Sequence, residues 1–453
     1  MEEKIKRALK NSDVEYVEVH LEETEETRVH YSGKEMDSIG THFTKGGNVR
    51  AFHRGGWGFA SFNDMNRISE YIREACQHAK KVVRERGSLA PTTSIQDQVP
   101  LDLEDDPRKV PLAEKEGITR TYNGIILSSP KIQTTQVRYA DKFMRRHFMN
   151  TEGTELVEER IYCGISFSAI ARDGTNVQAS NESLGGTRGF KTVLDQEEKV
   201  EQVTKEAIDL LKAEKVKGGI YTVIVNPILG GVFAHEAFGH LSEADHLFEN
   251  ERILKIMELG KRFGREELSI VDDGTLVGER GHYRYDDEGV PAQKTYLMRN
   301  GILVGRLHSR ETAVKLGEPL TGNGRAINFR HPPIVRMSCT YIEPGERSFE
   351  KMVSEVKEGI YAVDALGGQT QLEMFTFSAG KGYLIQNGKI GPMVRDVVLT
   401  GNLFETLKNI DAIGDDLEFH GGLGGCGKDG QFPLPVTTGA PHFRIQNVVI
   451  GGA

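Results

Sequence analysis

The sequence predicts an α+β protein, with an amino-terminal α/β region at residues 1–217 and a carboxyl-terminal, mostly antiparallel β domain at residues 218–453. Stretches in which apolar and polar residues alternate occur beside stretches with apolar residues at helical spacing, which predicts a mixture of strands and helices. The length of 453 residues allows two or three domains. The 51 glycines, many of them in pairs near the carboxyl end, are typical of strands joined by tight turns.

The amino-terminal region is predicted to contain two groups of strands flanked by helices. "VEYVEVHLEE", "TRVHYSG" and "KGGNVRAFHRGGWGFASF" predict strands, and "MNRISEYIREACQHAKKVV" predicts a helix. Residues 86–109 combine Pro, Ser, Thr and acidic residues without periodicity, which predicts a connector. A helix near 111–128, strands from about 131 to 182 and a long helix over "DQEEKVEQVTKEAIDLLKAEKV" complete the region.

The carboxyl-terminal domain begins with a strand and a helix that carries the most informative residues. The strand "YTVIVNP" stops at Asn226, which is placed to cap a helix, and Pro227 suits the first turn of that helix. Strands and glycine turns follow, with one helical segment near 347–359. An exposed edge in "QTQLEMFTFSAGKGYLIQNGKI" would hold an extended substrate by strand addition.

Composition excludes several classes of protein. Lys and Arg number 57 against 66 Asp and Glu, for a net charge of -9, so nucleic-acid binding has little electrostatic support. The amino terminus lacks the apolar core of a signal peptide, and no later run approaches membrane-spanning length. We therefore expect a soluble cytoplasmic protein without a membrane or nucleic-acid partner. The four cysteines form no C-x-x-C pair, which favours free thiols.

The segment "HEAFGH" places two histidines around a glutamate at an unusual spacing. His235 and His240 are five residues apart, whereas the zinc-protease helix H-E-x-x-H places its ligands four apart. An ideal helix separates side chains by about 40° over four residues and about 140° over five. A π-type turn would restore the shorter geometry, and Gly239 would ease it. Two imidazoles and Glu236 would then supply what metal-assisted hydrolysis needs. The alternative is a helix without a metal, whose polar side chains are satisfied by hydrogen bonds.

A catalytic zinc also requires a third protein ligand, and the residues leave this ligand open. Three candidates, Glu243, Asp245 and His246, lie nearby in the sequence. A fourth candidate, Cys426, lies in "GGLGGCGKDGQFPLP", where Lys428 would favour the thiolate that binds metals. A small buried apolar residue is the alternative interpretation of this cysteine.

Four ordered segments resemble those of the TldD/PmbA family of metalloproteases, specifically its TldD-type catalytic subunit. They are "HEAFGHLSEAD", "VDDGTLVGERGHYRYDDEGVPAQKTYLMRNGIL", "PLTGNGR" and "CGKDGQFPLPVTTGAPHFRIQNVVIGG". The resemblance implies a zinc-dependent peptidase, with one Zn²⁺ held by His235, His240 and Cys426 and with Glu236 as the catalytic carboxylate. It implies small or unfolded polypeptides as substrates. It also implies a dimer, formed with a second copy or with a PmbA-type partner.

Other interpretations stay open at this point. Asn323 and Arg325 could hold a peptide carbonyl, and His308 or Tyr285 could assist an oxyanion, although turns or dimer contacts are simpler explanations. A non-catalytic scaffold of the same fold and a hydrolase of small amides are the alternative functions.

Overall fold

The computed structural model describes residues 2–82, 87–101, 103, 105–248, 250–371 and 373–451. Long strands form a single sheet in the amino-terminal region, in the order β3-β2-β1-β5-β6-β4, with β7 also paired to β6. They are β1 (Tyr16–Ser32), β2 (Glu35–His53), β3 (Gly56–Phe62), β4 (Gln96–Val99), β5 (Ile132–Asn150), β6 (Glu155–Asp173) and β7 (Asn176–Gly186). The pairs are antiparallel except for β4 with β6.

Helices cover this sheet and bury two apolar clusters against it. They are α1 (Glu2–Lys10), α2 (Ile68–Lys81), α3 (Leu112–Leu127) and α4 (Glu197–Leu210). The apolar faces of α1 and α2 pack on β1 to β3, and those of α3 and α4 pack on β5 and β6. Residues 16–20 of β1 and 161–165 of β6 are buried without alternation, so both faces of the sheet are covered in these stretches.

The predicted connector at 86–109 contains more structure than its composition indicated. Residues 96–99 form β4, which adds a parallel strand to β6, and residues 107–109 form a 3₁₀ turn. Residues 86, 102 and 104 of this segment lie outside the described part of the chain. The long helix predicted over 195–216 ends at Leu210, and Glu214–Lys215 form a strand instead.

The carboxyl-terminal region is rich in strands, as predicted. Its strands are β8 (Glu214–Lys215), β9 (Gly219–Val225), β10 (Ile270–Asp273), β11 (Lys294–Arg299), β12 (Ile302–Leu303), β13 (Gly324–Arg325), β14 (Ile334–Val335), β15 (Cys339–Ile342), β16 (Glu358–Gln371), β17 (Met374–Gln386), β18 (Lys389–Arg395), β19 (Val398–Asn402), β20 (Ile410–Ile413), β21 (Glu418–His420), β22 (Cys426–Lys428), β23 (Gln431–Leu434), β24 (Thr437–Ala440) and β25 (Phe443–Gly451). One large sheet has the order β16-β9-β25-β19-β17-β18-β8, and a second has the order β12-β11-β10-β15-β24-β21. Most pairs are antiparallel, which confirms the predicted α+β class.

Short helices interrupt these strands more often than the sequence indicated. They are α5 (Pro227–Phe233), α6 (Ala244–Phe248), α7 (Glu251–Ile256), α8 (Arg310–Leu316), α9 (Phe349–Ser354) and α10 (Leu403–Lys408). The predicted helical segment near 347–359 corresponds to α9. Helix α5 lies between the two large sheets, where Phe233 packs against Phe375, Phe377 and Phe443.

No helix in the described ranges combines the length and the apolar character that crossing a membrane requires.

The loop after β10 joins the two regions through buried ion pairs. Arg50 of β2 donates to Glu288 at 2.7 Å, and Arg146 of β5 pairs with Asp287. Arg146 also donates to the carbonyl of Tyr285 at 3.0 Å. Because these groups are buried, breaking one pair would leave a charge uncompensated. The loop therefore holds the amino-terminal sheet against the carboxyl-terminal domain, and a cavity bordered by Ser166 of β6 and by His235 opens between them.

Candidate metal centre

The helix that carries the two histidines is capped as predicted and then deformed. The side chain of Asn226 accepts a hydrogen bond from the Leu229 amide at 3.0 Å, and Pro227 takes the first helical position. Helix α5 continues into a π-helical turn at Ala234–Gly239. Such a turn inserts one residue, which rotates later side chains back by about 100° and brings His240 to the side of His235. The predicted deformation is confirmed.

Gly239 has a different reason for being glycine from the one predicted. Its backbone angles, φ −58° and ψ −54°, are ordinary helical values that any residue adopts. A Cβ at this position would lie 2.1 Å from Sδ of Met337, which is fully buried. Close packing against Met337, not backbone freedom, therefore favours glycine here.

Cys426 comes from the far end of the chain to meet both histidines. Its Sγ lies 3.3 Å from Nε2 of His240, and one ligand atom from each of His235, His240 and Cys426 lies within 4.8 Å of the others. Ligands at about 2.0 Å (nitrogen) and about 2.3 Å (sulfur) from a tetrahedral zinc are roughly 3.6 Å apart. Nδ1 of His235 is buried without a hydrogen-bond partner among the described residues. Imidazole and thiolate ligands in this arrangement fit zinc.

The two histidines make the Cys426 thiol acidic. Burial alone would raise its pKa, but His235 and His240 outweigh burial and lower the pKa to about 4. For His240, burial is outweighed by Glu243 and Cys426, which raise the pKa to about 11. The prediction that Lys428 favours the thiolate gave that lysine the wrong partner. Its ammonium lies 2.6 Å from Asp245 and 3.2 Å from Glu243.

The nearby acids and His246 lie outside the three-residue cluster. Glu243 is fully buried and its Oε2 lies 2.9 Å from Nδ1 of His240, so it orients that ring. Asp245 accepts from Lys428 and from the Val335 amide. His246 is exposed. Of the four candidates for the third ligand, only Cys426 has its ligand atom close to those of both histidines.

Glu236 lies where two cavities meet. A cavity of about 560 Å³ is bordered by His235, Glu236 and Cys426, and a cavity of about 510 Å³ is bordered by Glu236 and His240. One carboxylate oxygen of Glu236 lies 3.8 Å from Nε2 of His240, and its side chain is 32% exposed. The carboxylate is therefore accessible from both sides of the cluster.

His420 is a site residue that sequence reasoning missed. It borders the larger cavity together with His235, Glu236 and Cys426. Burial lowers its pKa, which favours the neutral ring with one N–H donor. The sequence feature that could have identified His420 is its position six residues before Cys426, in the same glycine-rich segment.

Four polar residues that the sequence suggested for binding a carbonyl or an oxyanion form hydrogen bonds inside the protein. None of the four lines either of the two cavities beside Glu236. The Tyr285 hydroxyl donates to Asp97, and both nitrogens of His308 are within hydrogen-bond distance of side-chain oxygens. Asn323 donates to Asp272 and to the Arg336 carbonyl. Arg325 donates to the carbonyls of Pro435 and Met337. These contacts favour structural roles for all four residues.

Known proteins resemble the chain over nearly its whole length. Family models described as PmbA/TldA metallopeptidase domain 1, central domain and C-terminal domain match residues 17–81, 105–214 and 218–452. A metalloprotease of Synechocystis sp. is 43% identical over 444 residues, which cover 97% of this chain and 96% of that protein. A zinc metalloprotease TldD homolog of Saccharolobus solfataricus is 32% identical, with 71% and 72% of the two chains covered.

A solved structure shows the same fold. TldE from Thermococcus kodakarensis superimposes with a TM-score of 0.78 and 18% identity, and the match covers 100% of both chains. At that identity the likeness concerns the fold alone, whereas the sequence matches define the relationship. The chain belongs to the TldD/PmbA family of metallopeptidases.

Proposed function

We propose that this chain is a zinc-dependent peptidase that hydrolyses peptide bonds of small or unfolded polypeptides through a metal-activated water, with one zinc per chain. The observation that carries the proposal is the meeting of His235, His240 and Cys426 beside Glu236, which faces two cavities. A zinc ion, when bound, supplies a Lewis acid that acidifies water and polarises a scissile carbonyl.

Each residue of the centre has a proposed role. His235, His240 and Cys426 are the ligands, and Glu243 holds the His240 ring through Nδ1. Glu236 accepts a proton from the attacking water and later passes it to the leaving amine. His420 takes the oxyanion-stabilising role that the sequence left unassigned, because its neutral ring borders the same cavity as Glu236.

The edge of β16 supports a peptide as the substrate. Strand β16 pairs with β9 along one edge, through residues 359–362. Further along the same edge, residues 364–370 pair with no described strand. Residues 364–367 border one cavity and residues 369–370 border the other, so this edge passes the site on both sides of Glu236. An extended peptide could add to it as a strand.

The sequence analysis placed the exposed edge in the wrong strand. Most of the predicted segment, residues 369–390, forms β17 and β18, and β17 is paired on both edges. Residue 372 lies outside the described part of the chain. The available edge belongs to β16, and only residues 369–371 of the predicted segment are part of it.

A dimer is proposed on the basis of the exposed end of the β1–β2 hairpin. Ile39 and Phe43 of β2 are 40% and 75% exposed, and their spacing of four residues places them on one face of the strand. A second copy or a PmbA-type partner would cover them. Size-exclusion chromatography with light scattering tests this, with Phe43→Asp expected to shift the protein toward the monomer. An unchanged mass would argue against this surface.

The decisive test of the proposed activity is Glu236→Gln. We expect the variant to bind zinc as the unsubstituted protein does and to lose cleavage of unstructured peptides, measured by mass analysis of products. Glu346→Gln, which changes an exposed carboxylate, is the matched control and should cleave normally. Retained proteolysis in Glu236→Gln would exclude the role of this carboxylate.

Two further results would support the alternative functions. A purified protein without stoichiometric zinc would favour a scaffold. Hydrolysis of small amides, with peptides left intact, would favour an amidase.

A further inference from the structure

The ribbon that carries Cys426 stands apart from the large sheets. Strands β22 and β23 pair with each other, through Cys426 with Leu434 and Lys428 with Gln431, and form a separate two-stranded unit among the described strands. Glycines at 421, 422, 424 and 425 precede it, so the chain leading to Cys426 has little side-chain packing of its own. A metal ligand on such a segment needs other groups to fix its position.

Three buried arginines bind the main chain of this segment. Arg336, fully buried, donates to the Cys426 carbonyl at 2.7 Å and lies 3.4 Å from the Gln431 carbonyl, so one guanidinium bridges both strands of the ribbon. Arg280 lies 3.2 Å from the Gly424 carbonyl and 3.4 Å from that of Leu423.

Arg325 holds the end of the segment. It donates to the Pro435 carbonyl at 2.9 Å and to the carbonyl of Met337, the residue that packs against Gly239. The segment 423–435 is thus held near its beginning, at the ribbon and at its end.

These arginines differ from the other buried arginines of the protein. Within the described residues, their guanidinium hydrogen bonds all go to main-chain carbonyls. Arg50 and Arg146, by contrast, form buried ion pairs with carboxylates. Burying a cation without a directly paired carboxylate is unfavourable, and an apolar side chain would fill the same volume at a lower cost. The planar fork of arginine can, however, fix two carbonyls at once.

The amino-terminal sheet contributes one more contact to the same segment. The Leu423 amide donates to Oγ of Ser183 on β7 at 2.9 Å. A Cβ at Gly422 would lie 2.5 Å from that oxygen, so the chain passes directly over Ser183. The segment is therefore fixed between β7 and the arginines.

We propose that Arg336, Arg280 and Arg325 are positioning residues that hold the main chain of residues 423–435 so that Cys426 can complete the metal site. This inference rests on the proposed metal centre. The arginines do not contact the metal or the substrate. They fix the position of the Cys426 sulfur relative to the rings of His235 and His240. The need for a fixed main chain explains why donors, and not apolar side chains, occupy these buried positions.

The test is Arg336→Met, which keeps the length of the side chain but removes its donors and charge. We expect the zinc affinity, measured by competition with a chelator, to fall about 10-fold to 100-fold, as for other groups that orient metal ligands. In the cobalt-substituted protein we expect the thiolate-to-cobalt charge-transfer band to weaken. Arg336→Lys, which keeps the charge but not the fork, should recover only part of both signals.

Arg310→Met is the matched control. Arg310 is also fully buried and also donates to a carbonyl, that of Ala90, but its partners lie away from the Cys426 segment. This variant should lose thermal stability and keep the zinc affinity and the cobalt band of the unsubstituted protein. A loss of zinc affinity in Arg310→Met as large as in Arg336→Met would overturn the proposal, because destabilisation alone would then explain both.

Two more variants keep the test decisive if Arg336→Met does not fold. Arg280→Met and Ser183→Ala remove hydrogen bonds to residues 423 and 424, and Arg280→Met also removes the contact of the guanidinium with the Tyr162 ring. An unchanged zinc affinity and cobalt band in both would contradict the proposal. Failure of the metal site itself looks different: the unsubstituted protein would then show no thiolate band at all.

Discussion

Replacing Gly239 by alanine tests the packing that places His240. The new Cβ would lie 2.1 Å from Sδ of Met337, whereas heavy atoms normally approach to about 3.5–4.0 Å. The helix or the methionine must therefore move by roughly 1.5 Å. Overpacking of this kind lowers the free energy of unfolding by about 1–3 kcal/mol, of which up to about 1 kcal/mol is offset by the better helix propensity of alanine.

The substitution should also weaken zinc binding. His240 directly follows Gly239, and zinc tolerates ligand displacements of only about 0.2 Å. We expect Gly239→Ala to fold, to unfold at a lower denaturant concentration, and to bind zinc at least about 10-fold more weakly in a chelator competition.

Matched variants separate this clash from a general effect of alanine. Gly117 lies inside helix α3, and a Cβ added there would have no heavy atom within 4 Å, so Gly117→Ala should keep the zinc affinity and gain stability by up to about 1 kcal/mol. Met337→Ala, added to Gly239→Ala, should restore zinc binding by removing the sulfur. A Gly239→Ala protein that resembles Gly117→Ala in both measurements would show that close packing does not place His240.

Two other perturbations test the surroundings of the site and the joint between the two regions. Glu243→Gln removes the charge that faces Nδ1 of His240 and the Lys428 ammonium. The zinc affinity should therefore fall about 10-fold to 100-fold in the chelator competition. An unchanged affinity would exclude an orienting role for Glu243. Glu158 is buried, but Arg160 and Arg146 outweigh burial and lower its pKa from 4.5 to about 2. Its ionised form therefore contributes roughly 3 kcal/mol to the free energy of unfolding above pH 5. This contribution is lost as the pH falls from 4.5 toward 2. Denaturation curves between pH 6 and 3 should therefore show a weaker loss of stability with acid for Glu158→Gln than for the unsubstituted protein, and parallel losses would contradict this assignment.

Local sequence signals predicted the metal-bearing helix well. Asn226 and Pro227 marked its start, and the five-residue step from His235 to His240 required the π turn that the structure contains. These features depend on residues within one or two turns, which a sequence displays directly. Helix α8 shows that such signals can also be overlooked. Ser309 and Thr312 form a capping box, and Gly317 ends the helix in the left-handed conformation.

Contacts between distant parts of the chain were beyond local reasoning. Cys426 lies 186 residues from His240; local context made it one of four candidates for the third ligand, and only the family resemblance selected it. Lys428 turned out to face Asp245 and Glu243 instead of the thiol. The role of Gly239 depends on Met337, which no local pattern identifies. Periodicity and capping predict elements, but not which side chains meet between them.

The proposed function depends on one zinc being held by His235, His240 and Cys426. A crystal structure of the zinc-loaded protein, with anomalous scattering recorded at the zinc edge, would locate the metal without assumptions about its ligands. We predict one zinc peak per chain, about 2.0 Å from a nitrogen of each histidine and about 2.3 Å from the Cys426 sulfur, with Glu236 beside the remaining position. A fully ordered, zinc-loaded molecule whose metal lies elsewhere, or whose Cys426 sulfur is out of bonding distance, would contradict this prediction.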